Sequence, residues 1–172
     1  MTSDTSIFLI GPMGSGKSAV GRRLAKELGR EFFDSDDVIE DRSGVDIPFI
    51  FEREGEEGFR QRECKIIHEL TQLPGIVLAT GGGSTQNAEN RLALHSRGFV
   101  VYLHATVDQQ LKRIRRGRER PMLRNGNPRE ILTGLMAARD PQYREIAHVV
   151  VETDGCKIPS VVREIRRNMT SC

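Results

Sequence analysis

Directly after the apolar run Ile7-Phe8-Leu9-Ile10 stands Gly11-Pro12-Met13-Gly14-Ser15-Gly16-Lys17-Ser18, a complete G-x-x-x-x-G-K-[ST] pattern. A buried strand that turns through glycines into a helix aims successive backbone N–H groups, and the positive end of the helix dipole, at one point where a polyphosphate can sit. The helix is present in the pattern that follows. Val20, Leu24 and Leu28 recur at helical spacing, Arg22, Arg23, Lys26 and Glu27 form a solvated face, and Gly29 is the stop. In such a loop the glycines let the backbone close around phosphates, Lys17 neutralises the β- and γ-phosphates as a point charge, and the Ser18 hydroxyl ligates Mg²⁺.

The rest of the composition narrows the class. A chain of 172 residues fits one compact domain that buries roughly two-thirds of its unfolded surface. Twenty-six Lys and Arg against 24 Asp and Glu leave a net charge of +2, which implies no general affinity for nucleic acid. Cys64, Cys156 and Cys172 are far apart, odd in number and without C-x-x-C pairing, so free thiols in a reducing compartment are expected and a structural metal is not. No basic signal region opens the chain, and no apolar run approaches the ~20 residues of a membrane span. A cytoplasmic protein without a membrane or nucleic-acid partner is the expectation.

Four further apolar runs read as strands: Glu31-Phe32-Phe33, Ile76 to Ala79, Phe99 to Leu103 and His148 to Val151. Helical patterns lie between them at Asp37 to Arg42, Gly58 to Leu73, Ala88 to Arg97, Val107 to Arg116, Pro128 to Ile146 and Ser160 to Met169. Short β-branched strands alternating with amphipathic helices predict an α/β doubly wound fold, a parallel sheet covered on both faces. Its functional edge lies beyond the carboxyl ends of the strands.

Several groups fall at that edge. Asp34-Ser35-Asp36-Asp37 follows the second strand. Strand alternation would aim Asp34 and Asp36 to the same side, one towards the metal's hydration shell and the other towards an acceptor hydroxyl. Helix N-capping by Ser35 or Asp36 is an alternative that coexists with this. The third strand ends in Thr80-Gly81-Gly82-Gly83-Ser84, where the backbone can approach a ligand closely or merely turn. That strand ends in no Asp, so Asp34 is the better metal-side carboxylate. Most arginines here are expected on solvated faces. Arg120, beside Pro121 in the Arg-, Gly- and Asn-rich stretch from Arg113 to Asn127, can instead close over a nucleotide. Arg60 and Arg139 offer planar forks to a carboxylate.

The phosphate loop, Asp34-x-Asp36, Glu57-Gly58-Phe59-Arg60, Gly81-Gly82-Gly83, Arg120-Pro121-Met122-Leu123 and Arg139-x-Pro141-x-Tyr143, in this order over nearly the whole chain, closely resemble the shikimate kinase family. The resemblance implies a P-loop NTPase-type domain over residues 1–172 with a five-stranded parallel sheet, a substrate-binding segment at about 36–70 and a lid at about 113–127. It implies transfer of the γ-phosphoryl of ATP to the 3-hydroxyl of shikimate, a step towards chorismate and the aromatic amino acids, with one Mg²⁺ per subunit. By position, Gly14, Ser15, Gly16, Lys17, Ser18 and Ala19 would wrap the ATP phosphates, with Ser18 on Mg²⁺ and Asp34 on the metal's waters. Asp36 would hold the ring hydroxyls and accept the proton of the 3-hydroxyl. Arg60 and Arg139 would grip the carboxylate, with the backbone of Gly81 and Gly82 on the hydroxyls. Arg120 would reach the phosphates, making Lys17, Asp36 and Arg120 the catalytic set. Arg113 would stack on adenine, with Lys157 and Pro159 in the adenine-side loop. Two departures stand out, both expected to touch affinity: many members carry Arg where this chain has Lys157, and some carry Ser in place of Ala79.

Two other readings remain at this stage. Another small P-loop kinase would act on a sugar acid such as gluconate or on a nucleoside monophosphate, and a non-catalytic binder would use Lys112 to Arg124 on RNA. Only two Tyr and no Trp argue against a stacking surface for RNA. A monomer is expected because the assigned helices leave no long apolar face.

Overall fold

A computed structural model describes residues 4–114 and 121–171. Its centre is β1 (Ser6–Ile10), whose four apolar side chains all lack solvent exposure. They divide by strand alternation: Phe8 and Ile10 enter one core, Ile7 and Leu9 the other. A strand apolar on both faces belongs inside a parallel sheet covered by helices. Accordingly β1 pairs in parallel with β3 (Val77–Ala79) and β4 (Gly98–His104), β2 (Phe32–Asp34) lies outside β3 and β5 (Val149–Glu152) outside β4. The order is β2-β3-β1-β4-β5.

On one face α1 (Lys17–Leu28) and α7 (Ile158–Thr170) bury Val20, Leu24, Val162 and Ile165 against the sheet. On the other lie α2 (Ser35–Ser43), α3 (Ile47–Leu70), α4 (Ala88–Arg97) and α6 (Pro128–Ile146), contributing Ile39, Ile67, Leu94 and Tyr143. The short α5 (Val107–Ile114) follows β4. Gly29 ends α1 as expected, in the left-handed region at φ 64°, and its N–H closes on Ala25 and Lys26 carbonyls.

Most expected elements form, with shifted ends. The second strand extends to Asp34, the third begins at Val77, and the last runs Val149–Glu152. The larger difference is α3, expected from Gly58 and found from Ile47. Asp46 caps it by accepting from Phe49 N at 2.9 Å, and Pro48 sits in the first turn, where a missing N–H costs nothing. Gly55 then leaves helical geometry at φ 71°, ψ −177°, and marks a bend between two helical lengths. At its other end α3 stops at Leu70, short of the expected Leu73.

His148, at the entry to β5, extends the ladder with a side chain: Val100 N donates to its Nδ1 at 3.0 Å. Its ring stacks on His95 with centroids 4.8 Å apart. Burial first, and the neighbouring His95 second, hold its pKa below the ordinary 6.5. The unfolded chain therefore takes up this proton more readily than the folded one, and the stabilisation present above the ordinary value is lost as pH falls through the folded one. Thermal unfolding of the native chain should lose midpoint between about pH 7 and pH 5, and His148→Asn, which keeps an acceptor near Nδ1, should flatten that fall. Equal slopes in the two proteins would remove His148 from the account.

Candidate active site

Gly16 caps α1 in the left-handed region at φ 90°, which lets the chain turn from loop to helix with its first N–H groups facing inward. Lys17 is buried beneath the loop, its Nζ donating to the carbonyls of Gly11 at 2.7 Å and Pro12 at 2.8 Å and to Ser15 Oγ at 3.4 Å. Ser18 Oγ donates to Asp34 Oδ2. Asp34 Oδ1 meanwhile accepts from the N–H groups of Asp36 at 3.0 Å and Asp37 at 3.4 Å, capping α2. One carboxylate thus serves as cap and as oxygen ligand beside the phosphate loop. It stands level with Ala79 of the neighbouring strand, where an acid at the end of β3 is missing. Two hard oxygens at one point fit Mg²⁺, which keeps several waters and takes few protein ligands. No cluster of three or more His, Cys, Asp or Glu suited to a metal forms among the described residues.

The capping geometry corrects one expectation. Because α2 starts at Ser35, strand alternation does not carry from Asp34 to Asp36, and Asp36 reaches the acceptor side from the first turn of a helix. The cap itself is Asp34, not Ser35 or Asp36.

Arg113 spans the nucleotide side: Nη1 donates to Gly14 O at 2.9 Å and Thr153 Oγ1 at 3.1 Å, and Nη2 to Thr153 O at 2.9 Å. Its fork ties the phosphate loop to the turn after β5. Lys157 precedes α7 as its cap residue and Pro159 lies in the first turn, bordering the groove between α1 and α7. Arg120 lies outside the described residues, as do the other lid positions 115–120; from the rest of that stretch, Pro121 and Met122 reach the neighbouring cavity.

That cavity, of about 350 Å³, brings together Asp36, Arg60, Glu63, the three glycines and Arg139, with an apolar wall of Ile47, Pro48, Phe51 and Phe59. Its size suits a small molecule. Arg60 Nη1 donates to Glu63 Oε1 at 2.8 Å, whereas Arg62, two residues on and on another helix face, forks outward onto Glu54 at 2.7 and 2.8 Å. Glu63 is 1% exposed and Oε2 has no hydrogen-bond partner; burial raises its pKa, against the pull of Arg60. Arg139 is 4% exposed. With the Gln86 amide turned so that its oxygen faces Arg139, it accepts from Nε at 3.0 Å and Nη2 at 2.9 Å. Burial, and to a smaller degree the charge of Arg60, lower the Arg139 pKa. The desolvated Arg139 guanidinium, with the partly exposed Arg60 beside it, gains from an anion placed between the two.

The glycines make this approach possible. A Cβ on Gly83 would stand 2.4 Å from Arg60 Nη2, and one on Gly81 would stand 2.7 Å from Glu63 Oε2 and 3.0 Å from Asp36 Oδ1. Gly81 N–H is itself donated to Ser35 Oγ at 3.0 Å. Sequence reading missed Glu63, Gln86 and Ser35. Glu63 is recoverable as the i+3 carboxylate to Arg60 on one helix; Gln86 and Ser35 act through contacts distant in sequence and carry no local signal.

A parallel sheet with a full phosphate loop at its centre, a carboxylate on the adjacent strand and an arginine-lined cavity at the same edge defines a P-loop phosphotransferase acting on a small anion. A family model for shikimate kinase matches residues 13–170. A shikimate kinase of Nitrosococcus oceani is 55% identical over 164 residues, 95% of this chain and 86% of that protein. One of Psychrobacter cryohalolentis is 52% identical over 166 residues, 96% and 89% of the two chains. The solved structure of shikimate kinase from Acinetobacter baumannii in complex with shikimate superposes with a TM-score of 0.95 at 48% identity, covering 97% of this chain and 93% of that one. The chain belongs to the shikimate kinase family.

The contact at Gly83 supplies a test. In Gly83→Ala the methyl group displaces the flexible end of Arg60 and leaves the backbone in place, so thermal stability should change little while the KM for the acid substrate rises about tenfold, the size of a lost charge-assisted hydrogen bond. Steady-state kinetics beside a thermal scan reads both; an unchanged KM would separate the Arg60 fork from substrate binding.

Proposed function

We propose that this chain phosphorylates the 3-hydroxyl of shikimate, using ATP with one Mg²⁺ per subunit. The observation that carries the reading is the cavity in which buried Arg139 and the Glu63-held Arg60 converge beside Asp36, at the sheet edge that bears the phosphate loop. A cyclic polyol acid matches it: a carboxylate for the forks, hydroxyls for Asp36, and a carbon ring for the wall of Ile47 and Phe51.

In this mechanism Arg60 and Arg139 fix the carboxylate and so set the ring's orientation. The backbone of Gly81 and Gly82 approaches the hydroxyls. Asp36 accepts a hydrogen bond from the 3-hydroxyl and takes its proton as the oxygen–phosphorus bond forms and the bond between the γ-phosphorus and the bridging oxygen of the leaving ADP breaks. Lys17 exchanges its carbonyl partners for phosphate oxygens and follows the charge during transfer, with N–H groups over residues 14–19 around the phosphates. Ser18 would hold Mg²⁺ directly and Asp34 through water, and the ion would supply neutralisation of phosphate charge. Arg120 is assigned to the phosphates from a lid at about 113–127, closing towards a substrate-binding segment at about 36–70 within one domain, so that the acceptor hydroxyl replaces water. Arg113, Lys157 and Pro159 are assigned to the adenine side.

We assign the chain a cytoplasmic setting, with which the free thiols of Cys64 and Cys156 agree; no helix among the described residues is long and apolar enough to cross a membrane. We assign the chain as a monomer. Its product would feed chorismate and aromatic amino-acid synthesis.

ADP release from MgATP should depend on shikimate and stay at background with quinate, gluconate or nucleoside monophosphates; release driven by gluconate instead would identify a sugar-acid kinase. Asp36→Asn should lower kcat by about 10²–10⁴ while ATP still binds in a direct titration. Arg139→Lys replaces a planar fork by a point charge and should raise the shikimate KM about tenfold, leaving the ATP KM in place. Turnover undiminished in Asp36→Asn would end its role on the acceptor.

A further inference from the structure

Arg139 and Tyr143 stand about one helical turn apart on α6 and are both buried. The Tyr143 ring lies 4.9 Å from that of Tyr102, and its hydroxyl donates to the carbonyl of Gly82 across 61 positions of sequence. No step of the transfer uses this phenol. Burial raises its pKa far above the ordinary value, so it stays protonated and remains a donor.

Three consecutive glycines have no side chains to restrain their backbone, and each has an unusually wide range of conformations. The hydrogen bonds of the segment show what holds it. Gly81 O accepts from Ser84 N at 3.1 Å and Gly83 O from Gln86 N at 3.1 Å, both within the local turn. Gly81 N–H is tied to Ser35. The carbonyl of Gly82 is held instead from outside the turn, by Tyr143. Because the peptide unit is planar and trans, fixing that carbonyl fixes the whole Gly82–Gly83 unit, whose N–H points the opposite way. This unit lines the acceptor cavity. It also lies against both substrate sides: a Cβ on Gly82 would stand 3.3 Å from Met13 N in the phosphate loop and 3.7 Å from Arg139 Nη1.

We infer that Tyr143 is a positioning residue for phosphoryl transfer: its hydroxyl fixes the Gly82–Gly83 peptide plane relative to the Arg139 fork on the same helix. Backbone and fork then meet the acceptor acid as one pre-set surface. This inference rests on the cavity being the shikimate site. Loss of the hydroxyl frees the glycine unit to reorient and removes its contact with the Arg139 guanidinium, while Lys17 still ties the phosphate loop at Gly11 and Pro12, so the effect falls on the acceptor and not on the nucleotide.

The test is steady-state kinetics of the full chain with Tyr143→Phe, which keeps the ring against Tyr102, alongside Tyr102→Phe. The Tyr102 hydroxyl donates to Asp140 Oδ1 at 2.7 Å, a bond to the same helix that does not reach Gly82. In Tyr143→Phe the shikimate KM should rise about tenfold with the ATP KM unchanged. In Tyr102→Phe the thermal midpoint should fall comparably while both KM values hold. A native shikimate KM in Tyr143→Phe, an equal rise in both variants, a parallel rise in the ATP KM, or a Tyr143→Phe chain that does not fold each overturns the inference, the last by showing that the hydroxyl serves the fold. Failure of the unmutated chain to phosphorylate shikimate is a separate result, and it falls on the acceptor assignment itself.

Discussion

All five strands run in the same direction, and this constraint gathers the chemistry at one place. In a parallel sheet every strand hands its chain to the next element at the same edge. The loop after β1 is the phosphate loop, β2 ends in Asp34, β3 opens into the glycine triplet, and β4 and β5 end near Thr106 and Thr153. The core on both sheet faces fixes these exits. Phe8 and Ile10 on one side and Ile7 and Leu9 on the other leave β1 no freedom to slip, since a one-residue shift would exchange the two cores. The site inherits its rigidity from packing that touches no substrate.

Upon this edge the protein has placed charge at a cost. Arg139 and Glu63 are both nearly inaccessible, and each is pushed towards its neutral form by burial. Arg60 and Gln86 offset part of that penalty by supplying hydrogen bonds, but Glu63 Oε2 keeps an unmet acceptor. A cavity so arranged discriminates by what it leaves unpaired. A neutral polyol would bring no charge to Arg139, whose hydrogen bonds run to the neutral Gln86 amide, and a nucleotide would place its charge on phosphate rather than a flat carboxylate. Under the proposed function the apolar wall of Ile47 and Phe51 would favour a ring over an open-chain sugar acid.

The phosphate loop, α1 and its stop at Gly29 were legible because their signals are local: a motif, a 3.6-residue period and a left-handed glycine. The sheet was legible for the same reason, as continuous apolar runs. The start of α3 was not, because Pro48, Gly55 and Gly58 are helix breakers by propensity, while the cap at Asp46 and the packing of Ile50 and Phe51 override them. The route by which Asp36 reaches the acceptor side was misread through a rule that held one residue too long, since capping by Asp34 ends the strand's alternation. Arg60 and Arg139 could be picked out by motif, but Gln86 and the Tyr143 hydroxyl act through tertiary contacts alone.

The two substrates meet a site with different internal tensions. On the nucleotide side Lys17 rests on the neutral carbonyls of Gly11 and Pro12, and Ser18 rests on Asp34. Under the proposed function polyphosphate binding would be an exchange of existing bonds, its gain the stronger attraction of an ammonium to phosphate than to a carbonyl. In the neighbouring cavity Arg60 is already paired with Glu63, whereas Arg139 rests on the neutral Gln86 amide, so an anion bound there would gain chiefly from Arg139. Lys17 and the two forks leave from different elements, yet Met13 N and Arg139 Nη1 both approach the same glycine, Gly82. In the proposed transfer that backbone would be the shared wall between donor and acceptor, a segment that has no side chains of its own and takes its shape from its neighbours.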